Sequence, residues 1–238
     1  HRFVAGQYHQ LPHTDLPQPM PVDSPWFPHQ ATNHLLRKPV ATPFISLTGS
    51  LIWAVYQAAK SGVSSDPNIA LVNAAIAARD SWIYPVRPIM TKLKRTGMVR
   101  GVAYKATQEW WVWAEIKEEA IVYVMPYNEL LLLAANDPDV GDLLRLDDMK
   151  ASHDLKAFRR QAISNRPALS PRVGAALGKI VALLGLELSL HSELICQVIH
   201  DIVSGWCIIR STSRNNDDDE DYEDHGDRDD YITHGAAQ

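Results

Sequence analysis

Three short pieces of this 238-residue chain carry side chains that could do chemistry together. They are Arg2 in His1-Arg2-Phe3-Val4, the hydroxyls of Ser46 and Thr48 in Phe44-Ile45-Ser46-Leu47-Thr48, and the carboxylate of Glu109 in Gln108-Glu109-Trp110-Trp111. The planar fork of an arginine grips phosphates in a way that a lysine does not. A carboxylate fixed beside a reacting carbon stabilises positive charge that develops there more in the transition state than in the ground state. Taken singly, each piece has a plainer reading. An arginine near a chain start is a solvated charge, an apolar strand with Ser and Thr is simply a strand, and a glutamate before tryptophans sits at a strand end.

Such residues need elements to hold them. Residues 44–47 read as a short strand, and Gly49-Ser50 then opens a helix with Ser50 as its N-cap. In that helix Leu51, Val55 and Ala58 share one face, Trp53 and Gln57 lie on another, and Gly62 fits the stop. Residues 68–76 read as strand into helix. Residues 109–116 are the most strand-like part of the chain, since Trp110, Trp111, Val112 and Trp113 are aromatic or β-branched. After Lys117-Glu118-Glu119 a second strand, 120–125, reads as the antiparallel neighbour of the first. The tryptophans are expected to line the two sides of the sheet. Between residues 5 and 43 a series of prolines from Pro12 to Pro43 breaks any helix or ladder longer than a few residues, which predicts an ordered loop or irregular wrap. Its His9, His13, His29 and His34 show no tight ligand spacing, so loop packing is expected and no metal site. From Tyr127 onward the pattern turns helical, with candidates at 128–135, 140–149, 154–164, 171–186 and 190–209. Gly174, Gly178 and Ala182 would let the fourth of these pack closely.

In order and residue type the three pieces resemble the ADP-ribosyltransferases of the Arg-Ser-Glu, cholera-toxin-like class. The layout also resembles uncharacterised fungal domains in which an arginine, a Phe-Ile-Ser strand and a later Glu-aromatic strand recur. The resemblance implies an α+β fold with a split antiparallel sheet over residues 1–136, followed by a helical segment at 137–210 packed on it. It also implies NAD as the substrate, with Arg2 gripping the dinucleotide and Ser46 and Thr48 on the central strand. Ser46 would orient Glu109, and Glu109 would stabilise the reacting ribose and accept a hydrogen bond from it. The implied function is an NAD-dependent ADP-ribosyltransferase or NAD glycohydrolase. Leu47-Thr48 stands where the family has Thr-Ser, which keeps a hydroxyl at the last position. Thr107 stands where arginine-modifying members carry a second glutamate that activates the acceptor. That departure favours hydrolysis, another acceptor or no activity. Two rival readings therefore stay open: a catalytically inactive interaction module of the same fold that binds a protein partner, and an unrelated helical scaffold with a small sheet.

Composition sets the remaining limits. The formal net charge is -5, but ten of the 28 acids lie between Asp217 and Asp230 with one base, so the remainder carries 22 bases against 18 acids. A mildly basic body thus precedes an acidic tail, residues 211–238, which buries too little apolar surface to order itself. The longest apolar runs fall short of the roughly 20 residues of a membrane span, so no span is expected. Neither a membrane nor a nucleic acid is expected as a partner. Cys196 and Cys207, on one helix, would stand about 16 Å apart, which excludes a disulfide and reads as two buried thiols. Sparse thiols lean towards an intracellular, reducing compartment. The start at His1 leaves a removed leader, and hence secretion, as the alternative. The pairs Asp137/Asp139 and Asp147/Asp148 read as helix-start and surface charges, and His200 as a core or surface residue.

Overall fold

A computed structural model describes residues 2–5, 22, 24–61, 66–101, 106, 108–165 and 169–208, with the backbone alone for residues 2–5 and Asp80. The acidic tail, Thr107, His9, His13 and Gly62 lie outside the described residues. The class is α+β. Strands β1 (Arg2–Ala5), β2 (Phe44–Thr48), β3 (Asn68–Val72), β4 (Ile83–Pro85), β5 (Glu109–Trp113) and β6 (Ile121–Pro126) form one sheet in the order β4-β5-β2-β1-β3-β6. Every pairing is antiparallel. The sheet has a narrow waist. β2 and β5 pair along their whole length, from Phe44 opposite Trp113 to Thr48 opposite Glu109, whereas β1 and β2 meet at Phe3 opposite Thr48.

Because successive strand residues point to opposite faces, the waist divides the apolar surface into clusters. On one face of the β1, β3 and β6 half, Ile69, Leu71 and Met125 pack under α2 (Leu51–Lys60) and the C-terminal helices. On the β4, β5 and β2 half, Phe44, Tyr84, Trp111 and Trp113 pack under α1 (Phe27–Leu35) and, after α3 (Ala74–Asp80), α4 (Val86–Arg95). The reverse face carries a small cluster of Leu47, Ala70, Val72, Ala77, Val112 and Ala120. Trp111 and Trp113 are buried and Trp110 lies half-buried on the reverse face, as the alternation requires, whereas Trp82 is 59% exposed.

The helical segment comprises α5 (Tyr127–Asn136), α6 (Pro138–Leu144), α7 (Leu146–Ala151), α8 (Leu155–Ser164), α9 (Pro171–Leu183) and α10 (Leu188–Gly205). Among the described residues it has no core of its own. Phe158, Val198, Ile202 and Trp206 belong to the same cluster as Leu51, Ile52 and Val55 of α2. α10 comes close to α2 at Gly205, where a Cβ would stand 3.0 Å from Cβ of Ile52. Asp201 on α10 accepts a hydrogen bond from the Leu51 backbone N–H at the start of α2. Burial pushes the Asp201 carboxyl up, and that N–H, His200 and Arg159 pull it part of the way back. No single helix among the described residues is long and apolar enough to cross a membrane.

Several expectations need correction. The proline-rich stretch contains a helix, because Pro28 falls in the first turn of α1, where proline costs no hydrogen bond. β5 and β6 are consecutive in the chain but not neighbours. After Ala114, at φ 68, the chain leaves β5, passes through the 3-10 turn at Glu118–Ala120, and pairs β6 with β3 at the far edge. The single helix expected at 140–149 is two, broken by Arg145 at φ 48. A Cβ added at Gly174 or Gly178 would meet no neighbouring element within 4 Å; α9 buries Val173, Ala176, Leu177, Ile180 and Val181 instead. Cys196 is exposed and Cys207 half-buried, both free, so the reading as buried thiols fails for Cys196. Ser50 does cap α2, accepting from the Trp53 N–H, and Asp137 caps α6 while pairing with Lys179.

Candidate active site

Two strands distant in sequence lay the site side by side. Thr48 stands opposite Glu109 in register and Ser46 opposite Trp111, so all four belong to one face of the β2 and β5 pair. The open ends of these strands are tied together: the Gly49 N–H donates to the Gln108 carbonyl at 2.9 Å. The Ser46 hydroxyl donates to Oε1 of Glu109 at 3.1 Å, and the indole N–H of Trp111 donates to the same oxygen at 3.0 Å. One carboxylate oxygen thus receives two hydrogen bonds from groups on two strands.

Behind Ser46 stands His34 of α1. Its Nε2 lies 3.0 Å from the Ser46 Oγ and its Nδ1 lies 2.7 Å from the Thr42 Oγ1. Burial, aided by the nearby Arg37 guanidinium, pushes the imidazole down to about 4, so the ring is neutral near neutral pH. The proton positions then follow from valence. Ser46 has one hydroxyl proton and gives it to Glu109, so its contact with His34 must use a proton on Nε2. Nδ1 is then bare, and Thr42 donates to it. The result is a directed chain from Thr42 through His34 and Ser46 to Glu109. Aromatic rings hold it: the His34 ring meets Phe44 at 5.5 Å and Trp111 in a T-shaped contact at 5.0 Å.

Of the residues expected from sequence, Ser46 and Glu109 are in direct contact. Thr48 is brought opposite Glu109, but its Oγ1 accepts the Ser50 N–H at 3.1 Å in the turn into α2, a local structural task. Arg2 lies on β1, the strand next to β2, opposite Val72; Val72 belongs to the cluster on the reverse face, and the Arg2 side chain lies outside the described residues. His34, Thr42 and the nitrogen of Trp111 were missed. A signal for His34 existed in the sequence: Phe27, Ala31, His34 and Leu35 follow the spacing of one helix face, and Phe27 and Ala31 are buried. Among the described residues no group of three or more His, Cys, Asp or Glu could hold a metal ion.

Residues 1–130 match the family described as a domain of unknown function, DUF7587, and the chain belongs to that family. No curated protein and no solved structure matches it.

Proposed function

We propose that this chain consumes NAD, cleaving the bond between nicotinamide and ribose with Glu109 as the carboxylate beside the sugar. The observation that supports this most is the 3.1 Å hydrogen bond from Ser46 to Glu109 across two strands, joining residues 63 positions apart. It is the relation that the resemblance to Arg-Ser-Glu ADP-ribosyltransferases requires. Bond cleavage leaves the ribose with oxocarbenium character, and a carboxylate held in place answers that charge without reorganising during the reaction. In this reading His34 and Thr42 keep the Ser46 proton directed at Glu109. The grip of Arg2 on the dinucleotide rests on the resemblance alone.

Thr107, in place of the acceptor-activating glutamate, favours water as the acceptor over an arginine side chain. The test is incubation of the pure chain with NAD in the absence of any protein acceptor. Release of nicotinamide with equimolar ADP-ribose is the expected result. Nicotinamide released only when a protein acceptor is added would replace hydrolysis by transfer. Folded protein that turns over NAD in neither case would support the second reading that Thr107 favours, a binding module of the same fold that contacts a protein partner.

A further inference from the structure

We propose that Trp111 is a positioning residue for Glu109, its indole N–H setting the direction in which the carboxylate points. The proposal rests on the reading of Glu109 as the carboxylate beside the ribose. A glutamate side chain has three rotatable bonds, and one hydroxyl donor that itself rotates leaves it several orientations. The indole N–H does not rotate: its direction is that of the ring. The ring in turn is fixed, because Trp111 is fully buried, with Phe44 at 5.0 Å and an interplanar angle of 38°, and His34 against it edge-on. The nitrogen stands 3.0 Å from Oε1 of Glu109, on the oxygen that also receives the Ser46 proton. Two donors from different strands, converging on one oxygen, define both the position and the tilt of the carboxylate. Packing alone does not demand an indole here, since Phe27, Phe44 and Tyr84 build the same cluster from six-membered rings. The nitrogen is the feature that needs a reason, and Glu109 supplies it.

The alternative is that the indole merely finds an acceptor for its buried N–H; one measurement on the full chain tests the contact that both cases share, and a second separates them. In nitrogen-15 spectra the Trp111 indole resonance, identified by its loss in Trp111→Phe, should shift in Glu109→Gln. A resonance indifferent to that change would show that the contact is absent in solution and overturn the proposal. At saturating NAD, Trp111→Phe should lower kcat by about 10-fold, as loss of a supporting hydrogen bond does, with KM within about twofold. The double variant with Glu109→Gln should then be no slower than Glu109→Gln alone. An unchanged kcat per folded molecule in Trp111→Phe, or fully additive losses in the double variant, would reduce Trp111 to a packing role. If the unmodified chain releases no nicotinamide, the NAD reading falls by itself. The indole resonance in Glu109→Gln then still decides whether the contact that the proposal requires exists in solution, and it disturbs no core residue.

Discussion

The two apolar clusters that share a sheet face differ in kind. The one under α2 and the C-terminal helices is mainly aliphatic, with Leu51, Ile52, Val55, Leu130, Val198 and Ile202 among its members. The one under α1 and α4 is largely aromatic, built on Phe27, Phe44, Tyr84, Trp111 and Trp113. Aliphatic side chains interlock and exclude polar atoms. Aromatic rings with polar edges can be buried while still presenting a nitrogen or a hydroxyl to a neighbour. The hydrogen-bonded chain from Thr42 to Glu109 runs along the aromatic cluster. The molecule therefore separates its tasks, with stability carried mainly by the helical side and polar positioning by the aromatic side.

The largest effect should come from removing the helical side. Cutting the chain after residue 136 removes helices that help to bury α2, whose buried residues are Leu51, Ile52, Ala54, Val55, Tyr56, Ala58 and Ala59. Burial of each large apolar side chain is worth about 1.5–3 kcal/mol, so residues 1–136 alone should lose their cooperative thermal transition. A fragment melting within about 5 °C of the full chain would contradict the shared core. Within that core Phe158→Ala, at a fully buried position, should cost about 3–5 kcal/mol in denaturant unfolding. A cost below about 1 kcal/mol would show that the helical side contributes far less than its burial implies.

On the aromatic side, acid should act through His34. Its folded value is lowered to about 4 from an ordinary 6.5, so the unfolded chain takes up a proton that the folded chain refuses. The stability that this group contributes is complete above about pH 6.5 and is lost as pH falls from there towards 4. Between pH 7 and 4.5 the unmodified chain should therefore lose roughly 2 kcal/mol more than His34→Gln. Equal losses in urea unfolding would place His34 in contact with water. Asp201 has the opposite sign: its carboxyl is raised, so the folded chain holds that proton more tightly and gains from acid. Asp201→Asn, which keeps an acceptor for the Leu51 N–H, should change stability by less than about 0.5 kcal/mol, whereas Asp201→Ala should cost about 1–2 kcal/mol. Equal costs would mean that the charge, and not the hydrogen bond, ties α10 to α2.

Local signals were legible in the sequence wherever one short-range rule decided the outcome. Ser50 before an apolar helical face gave the start of α2, Asn73 lies between β3 and α3 where strand was expected to pass into helix, and the tryptophan run gave β5. Ser46 and Glu109 were visible as types, and the register that joins them needed the fold. What stayed hidden depended on context. Pro28 looked like a breaker because its position in the first turn was not apparent, and with α1 unseen His34 had no face to belong to. β4 and α4, around Pro85 and Pro88, escaped for the same reason. Arg145 at φ 48 breaks a helix that periodicity alone would continue. β6 pairs with β3 and not with β5 because pairing is chosen by the whole sheet, and a short polar link between strands does not settle it.

The most direct test is the rate of nicotinamide release from NAD by Glu109→Gln against that of the unmodified chain, at matched melting temperature. The substitution keeps an oxygen for the Ser46 and Trp111 donors and removes only the charge. If Glu109 answers positive charge on the ribose, the rate should fall by about 100-fold or more. Equal rates in the two proteins would take Glu109 out of the chemistry and leave the chain from Thr42 to Glu109 as structure.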